Sequence, residues 1–157
     1  MVLDLRRHYE AAVEMLRRAI RDCPDELWDA RDEGKPFWQK AYHTLYCFDV
    51  FLSDAPDTFE APPFHTPGAQ VLARTPSHSF SREQIEGHLE RTAAKCAKVF
   101  DGLTLEGLGQ ECEHRRYATV ADMLFDNLRH TQHHIGVMYT DLRRKTGDAP
   151  DWLSRAE

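Results

Sequence analysis

The sequence of 157 residues has no long apolar run, no excess of positive charge and no closely paired cysteines. A membrane-spanning helix needs about twenty mainly apolar residues, and no window approaches that composition. The first twenty residues, MVLDLRRHYEAAVEMLRRAI, are charged and amphipathic, whereas a secretory signal peptide has an unbroken apolar centre. We therefore expect a cytoplasmic protein with no membrane partner.

The charge balance argues against a nucleic-acid partner. The formal net charge is -6, and binding to phosphates requires a basic face. Three basic clusters occur, at Arg17-Arg18, Arg115-Arg116 and Arg143-Arg144-Lys145. Each stands beside acidic residues or at the end of a predicted helix, which is typical of solvated helix surface.

The four cysteines, Cys23, Cys47, Cys96 and Cys112, are scattered and form no CxxC pair. Without a secretory signal, this spacing predicts reduced thiols. The length and a hydrophobic content of 41% suit one domain over residues 1–157, with a core large enough to fold without disulfides.

Helical periodicity recurs in four segments, and no strand-like alternation competes with it. The first helix carries an apolar stripe from Leu5 to Ile20, and the second begins at Pro36 and runs to about Ser53. The third begins after Ser81, and the fourth runs from about Thr119 until Gly147 and Pro150 end it. The piece TLEGLG at 104–109 looks like a turn. The sequence therefore predicts an all-α domain.

A proline-rich segment without periodicity, residues 54–80, joins the second and third predicted helices. Loops of this length are uncommon inside compact domains and are usually functional or crossover connections. In a four-helix bundle such a loop carries the chain back along the bundle, so that the third helix runs parallel to the second. We therefore expect a four-helix bundle with a long crossover loop.

Three histidines lie within five residues of the fourth helix, in NLRHTQHHIGVM at 127–138. His130 and His134 are four residues apart and so project from the same helical face, whereas His133 points about 100° away from His134. This HxxxH spacing is itself weak evidence, since most such pairs lie on helix surfaces. It also lacks the glutamate of the HExxH zinc-protease motif, and two ligands are too few for a catalytic zinc site.

The second predicted helix offers a third imidazole, His43, within the apolar segment WQKAYHTLYCFDVF at 38–51. A histidine in such surroundings is either a hydrogen-bonded core residue or a metal ligand. Two further histidines that face the same interior favour the second interpretation.

The histidine in an aromatic-rich second helix and the segment HTQHHIG in the fourth resemble the DinB/YfiT-like family over essentially the whole chain. The resemblance implies a four-helix bundle, commonly a homodimer, with a divalent metal bound by His43, His130 and His134. Zinc or nickel suits three imidazoles with open positions, and iron or cobalt is also compatible. One departure is the absence of the glutamine that often follows the family's glycine. Val137 and Met138 follow Gly136 here, which bears on packing rather than on metal binding.

Several polar residues are further candidates around this site. Cys47, four residues after His43, is either a thiolate ligand or a small buried hydrophobe. Asp126 and Asn127 either orient a ligand imidazole or face solvent. His65 and His78 lie in the long loop, which we expect to cover the pocket. His8, His88 and His114 stand among charged residues and are assigned no role.

Two classes of function remain open. The first is a metal-dependent enzyme acting on a small molecule, either a hydrolase or a transferase that uses a low-molecular-weight thiol. Related branches of the family use bacillithiol or mycothiol in this way. The second is a non-enzymatic bundle that is stabilised by a metal or senses one in a stress response. No catalytic base is evident, and no organic cofactor is expected.

Overall fold

The computed structural model describes residues 1–31, 34–154 and 156, and the described residues form six α-helices and no β-strand. The helices are α1 (Val2–Arg21), α2 (Asp25–Trp28), α3 (Phe37–Phe51), α4 (Arg82–Gly102), α5 (Leu105–Leu108) and α6 (Val120–Thr146). A 3-10 turn covers Pro56–Thr58, and Glu111 and Thr119 form an isolated bridge. The prediction of an all-α protein is confirmed. Among the described residues, no helix has both the length and the apolar character needed to cross a bilayer.

The ends of the long helices follow the signals in the sequence. Ser81 caps α4 in a capping box, in which its hydroxyl accepts from the Gln84 amide and the Gln84 side chain accepts from the Ser81 amide. Thr119 caps α6 by accepting from the Asp122 amide. Gly147 ends α6 in the left-handed conformation, at φ 82°, which favours glycine. These predicted ends are confirmed.

The two short helices were not predicted. The segment TLEGLG, expected to be a turn, contains the single helical turn α5, which begins because the Thr104 hydroxyl accepts from the Gly107 amide. Helix α2 spans four residues and begins after Pro24. Elements of this length contain too few residues to show helical periodicity.

Each long helix packs against two others: α3 contacts α4 and α6, and α1 contacts the same two. The core between them is rich in aromatic side chains, and burial of such area is the main source of stability. The largest fully buried side chains include Tyr9, Phe37, Trp38, Tyr42, Leu45, Phe48, Ile85, Leu89 and Leu124.

Helix α3 supplies more of these core residues than its length alone would suggest, as its apolar sequence predicts. The connection after it also contributes, since Ala69 and Phe80 are buried in the same core. The loop is therefore held against the helices at two points, and this brings it close to His43.

Candidate functional site

Three imidazoles, one from α3 and two from α6, converge at a single point. The Nε2 atom of His43 lies 3.2 Å from Nε2 of His130 and 3.1 Å from Nε2 of His134. The two α6 atoms are themselves 3.1 Å apart. All three residues are partly exposed, so a small molecule can approach the point of convergence from solvent.

The convergence has a local and a long-range cause. His130 and His134 stand on one face of α6 because residues four apart are neighbours on a helix. His43 reaches them because α3 packs against α6. The buried Ile135 and Met138 on α6, together with Leu45 on α3, hold the two helices in the same core.

A backbone carbonyl of the long loop orients His43. The Nδ1 atom of His43 lies 2.6 Å from the carbonyl oxygen of Gln70. A carbonyl oxygen only accepts, so Nδ1 carries the proton and Nε2 presents its lone pair to the other two imidazoles. Metal-binding histidines are usually fixed by such a bond. The sequence did not indicate Gln70, because any residue has a backbone carbonyl.

Burial and the neighbouring imidazoles keep His130 and His134 uncharged. Burial, together with the neighbouring His43 and His130, lowers the pKa of His134 to about 3. The pKa of His130 is also lowered, first by burial and then by His43. These imidazoles are therefore unprotonated at neutral pH and have lone pairs available for a Lewis acid.

The donor set suits a divalent transition metal. Nitrogens separated by 3.1–3.2 Å can each lie about 2.0–2.1 Å from one ion, the usual zinc–imidazole distance. Without a cation, hydrogen bonds cannot pair all three converging nitrogens, so at least one lone pair faces another lone pair. The Nδ1 atom of His130 is buried and has no hydrogen-bond partner among the described residues.

Cys47 lies beside this cluster but approaches a different edge of His43. Its Sγ atom is 4.0 Å from Nδ1 of His43, whereas the other two imidazoles meet Nε2. Cys47, His43 and His130 still form a group whose potential ligand atoms all lie within 4.8 Å of one another. Burial raises the pKa of the Cys47 thiol to about 11, so the thiol is protonated at neutral pH. Convergence of nitrogens favours the three imidazoles as the primary donors.

Asp126 and Asn127 direct their hydrogen bonds away from the imidazoles. The Asp126 carboxylate accepts from the Tyr117 hydroxyl at 2.6 Å and from Arg129 at 3.4 Å. The fully buried Asn127 donates to the carbonyl of Phe48 at 3.4 Å. Asp126 acts on His130 through its charge, which opposes the lowering of the His130 pKa by burial.

The other histidines near the site differ in exposure. His133 is exposed, and its ring centroid lies 4.9 Å from that of His134. The Tyr42 hydroxyl and Nδ1 of the loop residue His65 are hydrogen-bonded at 2.6 Å, while His78 is exposed beside Ser77. The loop therefore reaches the cluster through Gln70.

A second polar cluster, which the sequence did not indicate, lies between α3 and α4. The Asp49 carboxylate accepts from Lys95 at 2.7 Å and pairs with Nε2 of the buried His88 at 3.0 Å. Burial acts to raise the pKa of Asp49, but the bonds from His88 and Lys95 outweigh it, so the pKa is lowered overall. Buried His114 donates to the carbonyl of Ser53 at 3.0 Å. This network joins α3 to α4 and involves His88 and His114, for which the sequence predicts no role.

The fold and the site thus define an all-α protein with a cluster of three imidazoles between two long helices. The chain belongs to the DinB superfamily, whose family model matches residues 8–138. This match includes α3, the loop between α3 and α4, and α6 as far as residue 138, and so all three converging histidines. No curated protein and no solved structure matches the chain.

Proposed function

We propose that this protein is a metal-dependent enzyme whose divalent ion is held by His43, His130 and His134. The observation that carries the proposal is the mutual separation of 3.1–3.2 Å between the three Nε2 atoms. Zinc or nickel fits this nitrogen set best, with iron and cobalt as alternatives.

The architecture that supports this site is a four-helix bundle of α1, α3, α4 and α6 with a crossover loop at 54–80. Trp38 near the start of α3 packs on Phe80 just before α4, and Ser53 after α3 accepts from Lys95 well inside α4. This pairing fits two parallel helices, and parallel neighbours in a bundle require a long connection.

Each residue has a separate part in the chemistry. A divalent ion supplies Lewis acidity, which lowers the pKa of a water molecule or a thiol at the site. The imidazoles of His130 and His134 remain neutral because burial lowers their pKa values. The Gln70 carbonyl holds the proton of His43 on Nδ1, so that Nε2 of His43 is available as the third ligand nitrogen.

The substrate is a small molecule, because the imidazoles are only partly exposed between two packed helices. A three-nitrogen site leaves positions for a substrate group. Both a hydrolase and a transferase that uses a low-molecular-weight thiol fit this donor set, since each needs a deprotonated nucleophile near neutral pH.

Elemental mass spectrometry of untagged protein tests the metal site. We expect about one ion per chain in the wild type and in His133→Ala, because His133 is exposed and is not one of the three imidazoles whose Nε2 atoms converge. His134→Ala should lose the ion. Equal metal content in all three proteins, or none in any of them, would disprove the three-histidine site.

A non-enzymatic metal-stabilised or metal-sensing bundle is the second candidate, and the position of Cys47 favours it. The thiol lies within 4.8 Å of donor atoms of His43 and His130, and a fourth protein ligand would close the site, as in structural zinc centres. Cys47→Ala separates the two candidates. Unchanged metal affinity supports the open, enzymatic site, whereas a large loss supports the closed one.

We also propose a cytoplasmic homodimer. Several large apolar side chains are exposed, including Leu105 of α5 at 65%, and Met1 at 68% and Phe125 of α6 at 55%, which line the same surface pocket. Large exposed apolar groups close together are typical of an interface, and a second copy of the chain is the simplest partner.

A further inference from the structure

A cleft of about 430 Å³ opens between the start of α3 and the end of α6. Its volume falls in the range of small-molecule sites, about 300–1,000 Å³. The histidine cluster lies on the same two helices. The lining residues are Leu27, Ala30, Lys35, Phe37, Lys40, Asp141, Arg144 and Lys145.

The charge of this cleft is opposite to that of the chain. Its described lining carries four cations and one carboxylate, whereas the whole chain has a net charge of -6. The carboxylate of Asp141 is already paired with Lys40 at 2.6 Å, and both side chains are largely buried. The pair is neutral, so three cationic side chains remain uncompensated by that carboxylate.

Of these three cations, Arg144 and Lys145 are free to bind a ligand, and Lys35 is held at the cleft by the loop. Lys35 donates to the carbonyl and hydroxyl oxygens of neighbouring loop residues, which positions its ammonium group at the cleft. The exposed side chains of Arg144 and Lys145 form no hydrogen bond or ion pair within the described part of the chain. Cationic side chains that share one cavity and lack partners form a natural anion-binding surface.

The start of α3 adds to the positive potential. The helix has no side-chain cap and no acidic residue in its first turn, so its N-terminal partial charge is not neutralised. The Pro36 carbonyl accepts the first backbone hydrogen bonds of the helix, which come from the amides of Gln39 and Lys40. Phe37, the first helical residue, lines the cleft, and N–H groups in the first turn of a helix favour anions.

The cleft and the histidine cluster lie about one to two helical turns apart along α3 and α6. Lys40 precedes His43 by three residues, about one turn of α3. Asp141 follows His134 by seven residues on the same face of α6, roughly 10 Å along the axis at 1.5 Å per residue. A molecule with an anionic end and a reactive group about 10 Å away would span both regions.

We infer that the basic cleft binds the anionic end, a carboxylate or phosphate, of the small molecule that reacts at the imidazoles. This inference rests on the proposed function, since it assigns the cleft to a substrate or co-substrate of the metal site. The basic cluster at the end of α6 is then only partly solvated helix surface: Arg144 and Lys145 face the cleft, whereas Arg143 does not line it.

Titration calorimetry at constant ionic strength tests the cleft, with inorganic phosphate and succinate as separate probes. We expect saturable binding of at least one probe to the wild type. Arg144→Gln and Lys145→Gln should each weaken it by about tenfold or more, as expected for the loss of one charge-assisted hydrogen bond. Arg143→Gln is the matched control, because it removes the same charge from the same exposed helical turn, and should change affinity less than twofold. Binding of only one probe would identify the anion class.

Several outcomes would overturn the inference. The inference fails if neither probe shows saturable binding. It also fails if Arg143→Gln and Arg144→Gln weaken binding equally, because that result indicates a general field effect.

The link to the histidines is tested by the phosphorus resonance of bound phosphate, or the proton resonances of bound succinate, in protein loaded with Mn²⁺. We expect line broadening that is lost in His134→Ala, and an unbroadened signal in loaded wild type would separate the cleft from the site. Anion binding that persists in His134→Ala, together with metal content that does not depend on His134, would overturn the proposed function while leaving the cleft as an anion site.

Discussion

The Nε2 atom of His43 lies 3.1 Å from the Nε2 atom of His134, although 91 positions separate the two residues in the chain. The contact joins α3 to α6 through two ring nitrogens that approach the same point. A hydrogen bond can join only two of these nitrogens, but His130 brings a third nitrogen to the same distance. The geometry is therefore that of a donor set rather than of a single hydrogen bond.

The wild type should bind one cobalt ion per chain, and replacement of His43, His130 or His134 should abolish this binding. Co²⁺ gives visible absorption bands that depend on its coordination, so a titration reports both stoichiometry and ligand change. We expect one equivalent in the wild type and no saturable binding by His43→Ala below millimolar Co²⁺. His65→Ala, a loop histidine bonded to Tyr42, should bind one equivalent with an unchanged spectrum. A His43→Ala protein with the wild-type spectrum would contradict the assignment.

Removal of metal should lower the melting temperature, because an ion held by the proposed ligands would join two helices that are distant in the chain. A ligand at a hundredfold excess over its Kd stabilises by about 2.7 kcal/mol, which corresponds to about 5–10 °C for a domain of this size. Scanning calorimetry of the wild type with and without EDTA checks this value. His134→Ala should melt at the same temperature in both buffers, and an equal EDTA effect in this variant would point to another metal site.

Asp49→Asn should destabilise the protein by about 2–3 kcal/mol at pH 7. The change removes the buried partner of Lys95 and His88, and uncompensated polar groups in the interior are costly. Urea denaturation measures the difference. Asp101→Asn is the control, because the Asp101 side chain is 65% exposed in its pair with Arg6, and it should cost less than about 1 kcal/mol.

The same variant should show a specific pH dependence. The pKa of Asp49 is lowered in the folded protein, so the folded state favours the carboxylate. Its contribution is fully present above the unfolded pKa of about 3.9 and is lost as the pH falls through the lower folded value. The stability difference between wild type and Asp49→Asn should therefore be constant from pH 7 to about 5 and shrink below pH 4. A difference that grows in acid would contradict this pairing.

Phe125→Glu should convert the proposed homodimer into a monomer. Phe125 is 55% exposed near the start of α6, and a carboxylate there cannot be buried without a partner. Size-exclusion chromatography with light scattering at micromolar concentration measures the mass. Val71→Glu, at another partly exposed apolar position, should leave the dimer intact. A wild-type monomer under the same conditions would rule out the interface.

Much of the fold was predictable because its signals are local. Helical periodicity identified α1, α3, α4 and α6, and the caps at Ser81 and Thr119 lie where the side-chain spacing placed them. Helices α2 and α5 were missed, since a single turn has no period. The network around Asp49 was missed because a histidine among charged neighbours in the sequence gives no sign of its burial.

The sequence by itself determined that His130 and His134 share a helical face, because a spacing of four residues fixes that relation within one turn. It also placed His43 in a buried helix, because the surrounding segment is almost entirely apolar. Only the tertiary structure decided that the three nitrogens meet, that Cys47 approaches another edge of His43, and that the Gln70 carbonyl sets its tautomer. These relations depend on how α3, α6 and the loop pack together, and a backbone carbonyl leaves no mark in the identity of its residue.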